Sequence, residues 1–332
     1  MQPTTDLLFK FRFVQGGQAK GLRTKAASAS SDALVLDGEP IRYEDIVDTT
    51  SQDKRLILAL ASTVQLGQKT AKACQEGGVL ALEVQGVQAR DLERTIDRRA
   101  SALAAQRHKR EMAAAGEESR YRVMTCPHCG ATIDLSDFER TRYVYCRYCE
   151  SNLDQGGSIV SAGDAYRVCN ECQMFGRVRG YTVFYFYFLL VVYGFSYSGR
   201  YLCDTCAVRM AQRALLLNLI FLLGIPSSIY MWVKALTGHE PEMKELPKAN
   251  ALARKGKAKE AEAIYMRLLQ RLPEHPGLLA NQGIGYLNAG DSQGVECLKR
   301  SLRACSNYQP AMQLLLRLQR MAEASKASSV QA

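Results

Sequence analysis

Cys169-Asn170-Glu171-Cys172 and Cys203-Asp204-Thr205-Cys206 bracket the apolar run YTVFYFYFLLVVYGFSYS at residues 181–198, and a second apolar run, Ala214–Val233, follows directly. Whether these residues form a metal-clamped hairpin leading into an anchor, or a pair of spanning helices, decides the topology of the whole chain. A spanning helix fits the length of residues 181–198 and the flanking Arg179 and Arg200. It would, however, put Cys172 and Cys203 on opposite sides of an apolar layer roughly 30 Å thick, so the two pairs could not share a metal ion. A β-hairpin returns the chain to where it started, and aromatic or β-branched residues at 13 of the 18 positions suit strands. The hairpin is therefore the preferred reading, with Cys169, Cys172, Cys203 and Cys206 as a zinc site in a module spanning 166–210. Its aromatic face calls for a cover, either the next segment or a membrane interface.

From Ala207 the pattern turns helical, and Ala214–Val233 carries no charge. Tyr230 and Trp232 stand where a membrane interface would be. Pro226 interrupts the run, since it donates no helix hydrogen bond and clashes with the preceding turn. Residues 211–236 thus read as a membrane-anchoring segment, either one kinked spanning helix or a broken helical hairpin, with a buried core helix as the alternative. Lys234, Lys244, Lys248, Arg254, Lys255, Lys257 and Lys259 follow it, which by the positive-inside rule places its C-terminal side in the cytoplasm. Reduced thiolate ligands favour the cytoplasm for the N-terminal side as well. An anchor that enters and leaves on one face satisfies both.

Cys126-Pro127-His128-Cys129-Gly130 and, after sixteen intervening residues from Cys129, Cys146-Arg147-Tyr148-Cys149 carry the sharpest chemistry in the chain. Each C-x-x-C turn brings two sulfurs to one side, so four thiolates can surround one tetrahedral zinc ion. Gly130 permits the left-handed turn that follows the first pair, whereas Glu150 stands where a second glycine would serve the other. Residues 121–155 resemble a zinc ribbon. Four protein thiolates leave no open coordination position, so the resemblance implies a structural ion and no catalytic one. His128 reads as a spacer.

In residues 1–118, strand-like runs at Leu7–Val14, Ala33–Leu36, Ile41–Tyr43, Leu56–Ala61 and Val79–Val84 alternate with turns such as Asp37-Gly38 and Gly77-Gly78. An amphipathic helix is predicted from about Gln88 to Glu118, with Ala89, Leu92, Ile96, Ala100 and Leu103 apolar and a solvated basic run Arg107-His108-Lys109-Arg110 near its end. Strands followed by one such helix resemble a pleckstrin-homology-like domain. The resemblance implies a headgroup- or peptide-binding rim, for which Lys10, Arg12, Lys20, Arg23 and Lys25 stand as candidates against ordinary surface charge.

Gly256 and Gly290, like Pro276 and Pro310, lie 34 residues apart. Gly256-Lys257, Ala261, Tyr265 and Pro273 in one unit, and Asn281, Gly283, Tyr286 and Gly290-Asp291 in the next, resemble the tetratricopeptide repeat. Val295, Lys299 and Asn307 depart from it. The array occupies 242–322 and ends in a capping helix, Ala311–Met321. The resemblance implies a protein- or peptide-binding groove, with Asn281 and Tyr286 as candidate contact residues or, alternatively, purely structural positions.

The fold expected is a multidomain α+β chain: a β-rich domain with a C-terminal helix, two zinc-ribbon-like modules, an apolar anchor and an α-helical repeat array. Eight of the eleven cysteines fall in C-x-x-C pairs, and Met1–Val14 lacks the basic and apolar regions of a cleaved signal peptide, so metal rather than disulfides is expected. Of the net charge of +10, residues 1–120 contribute +2, 121–210 contribute +1 and 211–332 contribute +7. The excess avoids the cysteine modules, which argues against a zinc-dependent nucleic-acid reader. No nucleophile–base motif, P-loop or dinucleotide fingerprint is present, so no catalytic residues are expected. The function expected is a membrane-associated, non-enzymatic adaptor with one or two structural zinc ions and a protein partner. A nucleic-acid-binding zinc protein and a thiol-redox protein are the alternatives.

Overall fold

The computed structural model describes residues 6–16, 18–189, 192–218, 225–236 and 243–330. The chain divides into two compact units, Met1–Asp137 and Phe138–Ala332.

The first unit is a sheet of β1 (Leu7–Gln15), β2 (Gln18–Ala19), β3 (Lys25–Ala29), β4 (Ala33–Leu36), β5 (Glu39–Arg42), β6 (Ile46–Gln52), β7 (Arg55–Leu60) and, after the short helix α1 (Gln68–Ala73), β8 (Val79–Gln85). Its order is β5-β4-β3-β1-β8-β7-β6, with β2 paired to β1, and every pairing is antiparallel. Period-two alternation sets its inner face: Phe9, Phe11 and Phe13 of β1, Leu56, Leu58 and Leu60 of β7, and Leu80, Leu82 and Val84 of β8 are all buried. Helix α2 (Ala89–Ala114) joins this core through Ala89, Leu92 and Ile96.

Of the apolar face predicted for α2, Ala89, Leu92 and Ile96 are buried and Ala100 packs on the same core, whereas Leu103 is exposed and Ser101 is buried. Beyond Asp97 the helix also packs on β10 (Thr132–Asp134), which pairs with β9 (Val123–Thr125). Ser101 Oγ accepts the Thr132 N–H at 2.9 Å, and His108 Nδ1 lies 2.6 Å from Asp134 Oδ2. The expectation that residues 107–110 are simply solvated thus fails at His108. Two of the five rim cations, Arg12 and Lys25, are paired with Glu83 and Asp37.

The second unit opens with short antiparallel strands β11 (Tyr143–Tyr145), β12 (Asn152–Asp154) and β13 (Ile159–Ser161), then β14 (Tyr166–Val168). Strands β15 (Phe175–Leu189) and β16 (Val192–Cys203) form one long antiparallel hairpin, registered from Val178↔Cys203 to Leu189↔Val192. The aromatic run is therefore strand rather than spanning helix, apart from residues 190–191, which lie outside the described residues.

Helix α3 (Asp204–Asn218) starts immediately, and α4 (Ile225–Leu236) packs against it. Among the described residues, no helix is long and apolar enough to cross a membrane, so a spanning helix in 211–236 is unsupported. Residues 219–224 lie outside the described residues. Pro226 sits in the first turn of α4, where its missing N–H leaves no helix hydrogen bond unmade. Met231 of α4 reaches back to Ala207 and Ala211 of α3.

Helices α5 (Leu246–Arg254) and α6 (Ala258–Arg271), then α7 (Pro276–Asn288) and α8 (Gln293–Ala304), form two helical hairpins, and α9 (Gln309–Val330) follows. Their turns repeat at 34 residues. The Gly256 N–H donates to Ala253 O and the Lys257 N–H to Leu252 O; Gly290 donates to Leu287 O and Asp291 to Tyr286 O. Both glycines are left-handed, at φ +72° and +75°. The C-terminal helices are compatible with repeats.

Candidate metal centres

Three of the four cysteine pairs fold by one rule. In each, the first cysteine's N–H donates to the carbonyl five residues on, and the N–H four residues on donates back to the cysteine's carbonyl. The bonds are Cys126 to Ala131 with Gly130 to Cys126, Cys146 to Ser151 with Glu150 to Cys146, and Cys169 to Met174 with Gln173 to Cys169, all 2.7–3.0 Å. The residue after the second cysteine is left-handed every time: Gly130 at +77°, Glu150 at +60° and Gln173 at +57°. The missing glycines at 150 and 173 thus do not prevent the turn.

The fourth pair is built differently. Cys203 ends β16 and Asp204 begins α3, so Cys206 lies in the first helical turn. Asp204 is buried in a two-point ion pair with Arg177 of β15, at 3.2 and 3.5 Å, and its charge faces a helix N-terminus. Ladder, ion pair and helix start together fix Cys203 and Cys206 beside the third turn.

The sulfurs of Cys126, Cys129, Cys146 and Cys149 all lie within 4.8 Å of one another, as do those of Cys169, Cys172, Cys203 and Cys206. Tetrahedral zinc with bonds of about 2.3 Å spaces its sulfurs at about 3.8 Å, and Cys172 Sγ to Cys203 Sγ is 3.8 Å. All eleven cysteines are unbridged, and six of the eight paired ones are buried. Both groups can hold a metal ion such as zinc.

The surroundings of the second group suit negative charge. Cys203 N–H donates to Cys169 Sγ at 3.2 Å, and Arg254 Nη1 of α5 donates to Cys206 Sγ at 3.0 Å. Contact with Cys172 pulls Cys169 well below the usual thiol range, while contact with Cys169 pushes Cys203 above it. Four thiolates this close repel, and a divalent cation removes that conflict. By contrast, Cys74 and Cys297 are raised by burial, and Cys305 is pushed up to about 12 by burial, as befits core thiols. His128 Nε2 lies 3.3 Å from Arg94 and is no member of the first group.

The helical residues read from the sequence as partner contacts are engaged within the chain. Asn281 is fully buried: its Oδ1 accepts the Phe175 N–H at 2.7 Å, and its Nδ2 donates to the Phe175 carbonyl at 2.6 Å. Tyr286 is buried with its hydroxyl on Glu262, and burial raises its pKa. Asn250, Asn307 and Arg254 were missed, because a lone Asn or Arg in a helix or interhelical turn carries no signal until the backbone or thiol it meets is known.

The chain matches no family model, no curated protein and no solved structure with which it was compared.

Proposed function

We propose that the chain is a non-enzymatic scaffold resting on a membrane surface, held in shape by structural zinc and carrying a protein partner on its helical unit. The observation behind this reading is the α3–α4 pair. Ala207, Ala211 and Met231 are buried with the second cysteine group, while Leu216, Ile229, Tyr230, Trp232 and Val233 stay exposed, Tyr230 and Leu216 at 67% each. Five large exposed apolar side chains on two packed helices exceed the scattered surface hydrophobics of a soluble fold. Aromatic residues with nearby Arg209, Arg213 and Lys234 are the composition of helices that lie in a bilayer interface rather than cross it.

Such one-sided seating leaves the cysteine modules and the helical unit in one compartment, reducing enough to keep thiolate ligands. For the partner, a cavity of about 270 Å³ between the knuckles and α7–α9, bordered by Arg147, Gln309, Gln313 and Arg317, would take a peptide. The antiparallel sheet followed by α2 supports the pleckstrin-homology likeness, and the turn repeated at 34 residues supports the tetratricopeptide one.

The chain has a single tryptophan, Trp232, which is 44% exposed. Zinc-loaded protein should therefore float with phosphatidylcholine–phosphatidylserine vesicles and blue-shift its emission as it does so, with both effects weakened by Ile229→Asp. Protein that stays unbound with unchanged emission would end this reading.

A further inference from the structure

Buried carboxamides of the helical unit grip backbone beside the cysteine pairs. Asn281 takes both the N–H and the C=O of Phe175, three residues after Cys172, and Asn250 Nδ2 adds a bond of 2.9 Å to the same carbonyl. Asn250 is itself fixed, its Oδ1 accepting from Tyr265 Oη at 2.7 Å and from Asn281 Nδ2 at 2.9 Å. Asn307 does the same for Tyr145, one residue before Cys146, accepting its N–H at 2.9 Å and donating to its C=O at 2.8 Å. A carboxamide presents donor and acceptor as a peptide group does, so each asparagine stands in for a neighbouring strand.

The Phe175 ring completes the seat. It lies among the buried side chains of α5, α6 and α7, and a Cβ on Gly277 would come within 2.5 Å of it. Each of these carboxamides would be a costly unsatisfied group without its strand. The groove therefore has an occupant already, the chain's own Gln173–Gly176.

We propose that the helical unit belongs to the second metal centre: Asn281 and Asn250 position Cys169 and Cys172 through Phe175, and Arg254 positions Cys206, so that metal binding and seating of the strand are one linked equilibrium. This rests on the reading that the second group binds metal, and it adds that losing the ion unseats Phe175 and opens the groove. Linkage is reciprocal, so loosening the strand must weaken the ion by the factor with which the ion holds the strand.

The test uses the full chain loaded with Zn²⁺ and a chelator titration, with alkylation of each cysteine peptide read by mass spectrometry. Asn281→Ala should expose Cys169, Cys172, Cys203 and Cys206 at about tenfold lower chelator and leave the other four unmoved. Asn307→Ala should shift the first group, Cys126, Cys129, Cys146 and Cys149, and spare the second. Arg254→Met, which does not touch Phe175, should shift the second group, with partial rescue by Arg254→Lys; it also answers if Asn281→Ala does not fold. Equal shifts of both groups in either asparagine variant would mean a general loss of stability and overturn the proposal, as would no shift in any variant. If the second group of the unsubstituted protein gains no protection from Zn²⁺, the underlying reading fails and the proposal fails with it.

Discussion

The β1–β8 sheet and the cysteine-bearing strands β11–β16 are both antiparallel, yet they hold themselves together by different means. The first buries an unbroken apolar layer of its own, with Phe11, Leu34, Leu36, Leu56, Leu58, Leu80 and Leu82 fully inaccessible. In the second, β11 to β14 are three residues each, too short to enclose a core. The buried rings of this region, Tyr143, Tyr145, Tyr166 and Phe175, pack on the helical unit instead, and its backbone is held by Asn250, Asn281 and Asn307 beside the cysteine clusters and the buried Arg177–Asp204 pair. A strand that has no core of its own depends on specific partners outside its sheet, and each partner is then a point of failure.

The strongest way to break the comparison is to remove metal. Structural zinc holds small domains by an apparent ~10–16 kcal/mol. A chelator should abolish hydrogen-exchange protection at β14 and at the start of α3 while leaving the amides of β1, β7 and β8 protected. Equal loss in both regions would show that the sheet too depends on metal.

The converse substitution is Phe11→Ala. Phe11 is fully buried and stacks edge-on with Phe13, their ring centroids 5.0 Å apart. Its truncation should destabilise the sheet by about 3–5 kcal/mol, read from the denaturant midpoint. Zinc affinity of the second cysteine group should stay as it was.

How much of this was legible depended on whether the cause was local. Alternation in β1, β7 and β8 marked their strands, and C-x-x-C spacing named all eight clustered thiols. β3 was missed because Lys25-Ala26-Ala27-Ser28-Ala29 has no apolar or β-branched pattern to show. The hairpin followed from the need to keep Cys172 near Cys203, a geometric argument that the aromatic and β-branched composition seconded. Leu103 and His108 of α2 were misread because Ser101 and His108 there meet Thr132 and Asp134, partners that lie far along the chain. Asn281 was named with a contact and a structural role both open, and only the fold, with Phe175 in the groove, decides for the structural one.

A smaller effect separates the two kinds of support by pH. The hydrogen bond to Asp134 raises the pKa of His108 above its ordinary 6.5, with Asp137 3.8 Å away adding to the shift. A raised histidine contributes stability that is full below the ordinary value and fades as pH climbs through the raised one. As pH rises past the ordinary histidine value, packing of α2 on β10 should therefore weaken, and His108→Gln should flatten that part of the stability–pH curve. An unchanged slope in the variant would remove His108 from the account.

The finest distinction lies between two left-handed residues that fill the same place in their turns. Gln173, at φ +57°, spends its side chain on an exposed bond to Asn170 O. Gln173→Gly should relieve backbone strain at the cost of some unfolded-state entropy, a net gain of roughly 0.5 kcal/mol. Glu150, at φ +60°, looks like the same opportunity, but its carboxylate pairs with Arg167 and accepts the Val168 N–H at 3.2 Å, next to Cys169. Glu150→Gly forfeits those charge-assisted bonds, worth about 1.5–3 kcal/mol, and should destabilise on balance. Opposite signs for the two glycine variants in thermal unfolding would show that residue 150 was selected for what its side chain holds, with strain tolerated; matching signs would show that the backbone alone decides.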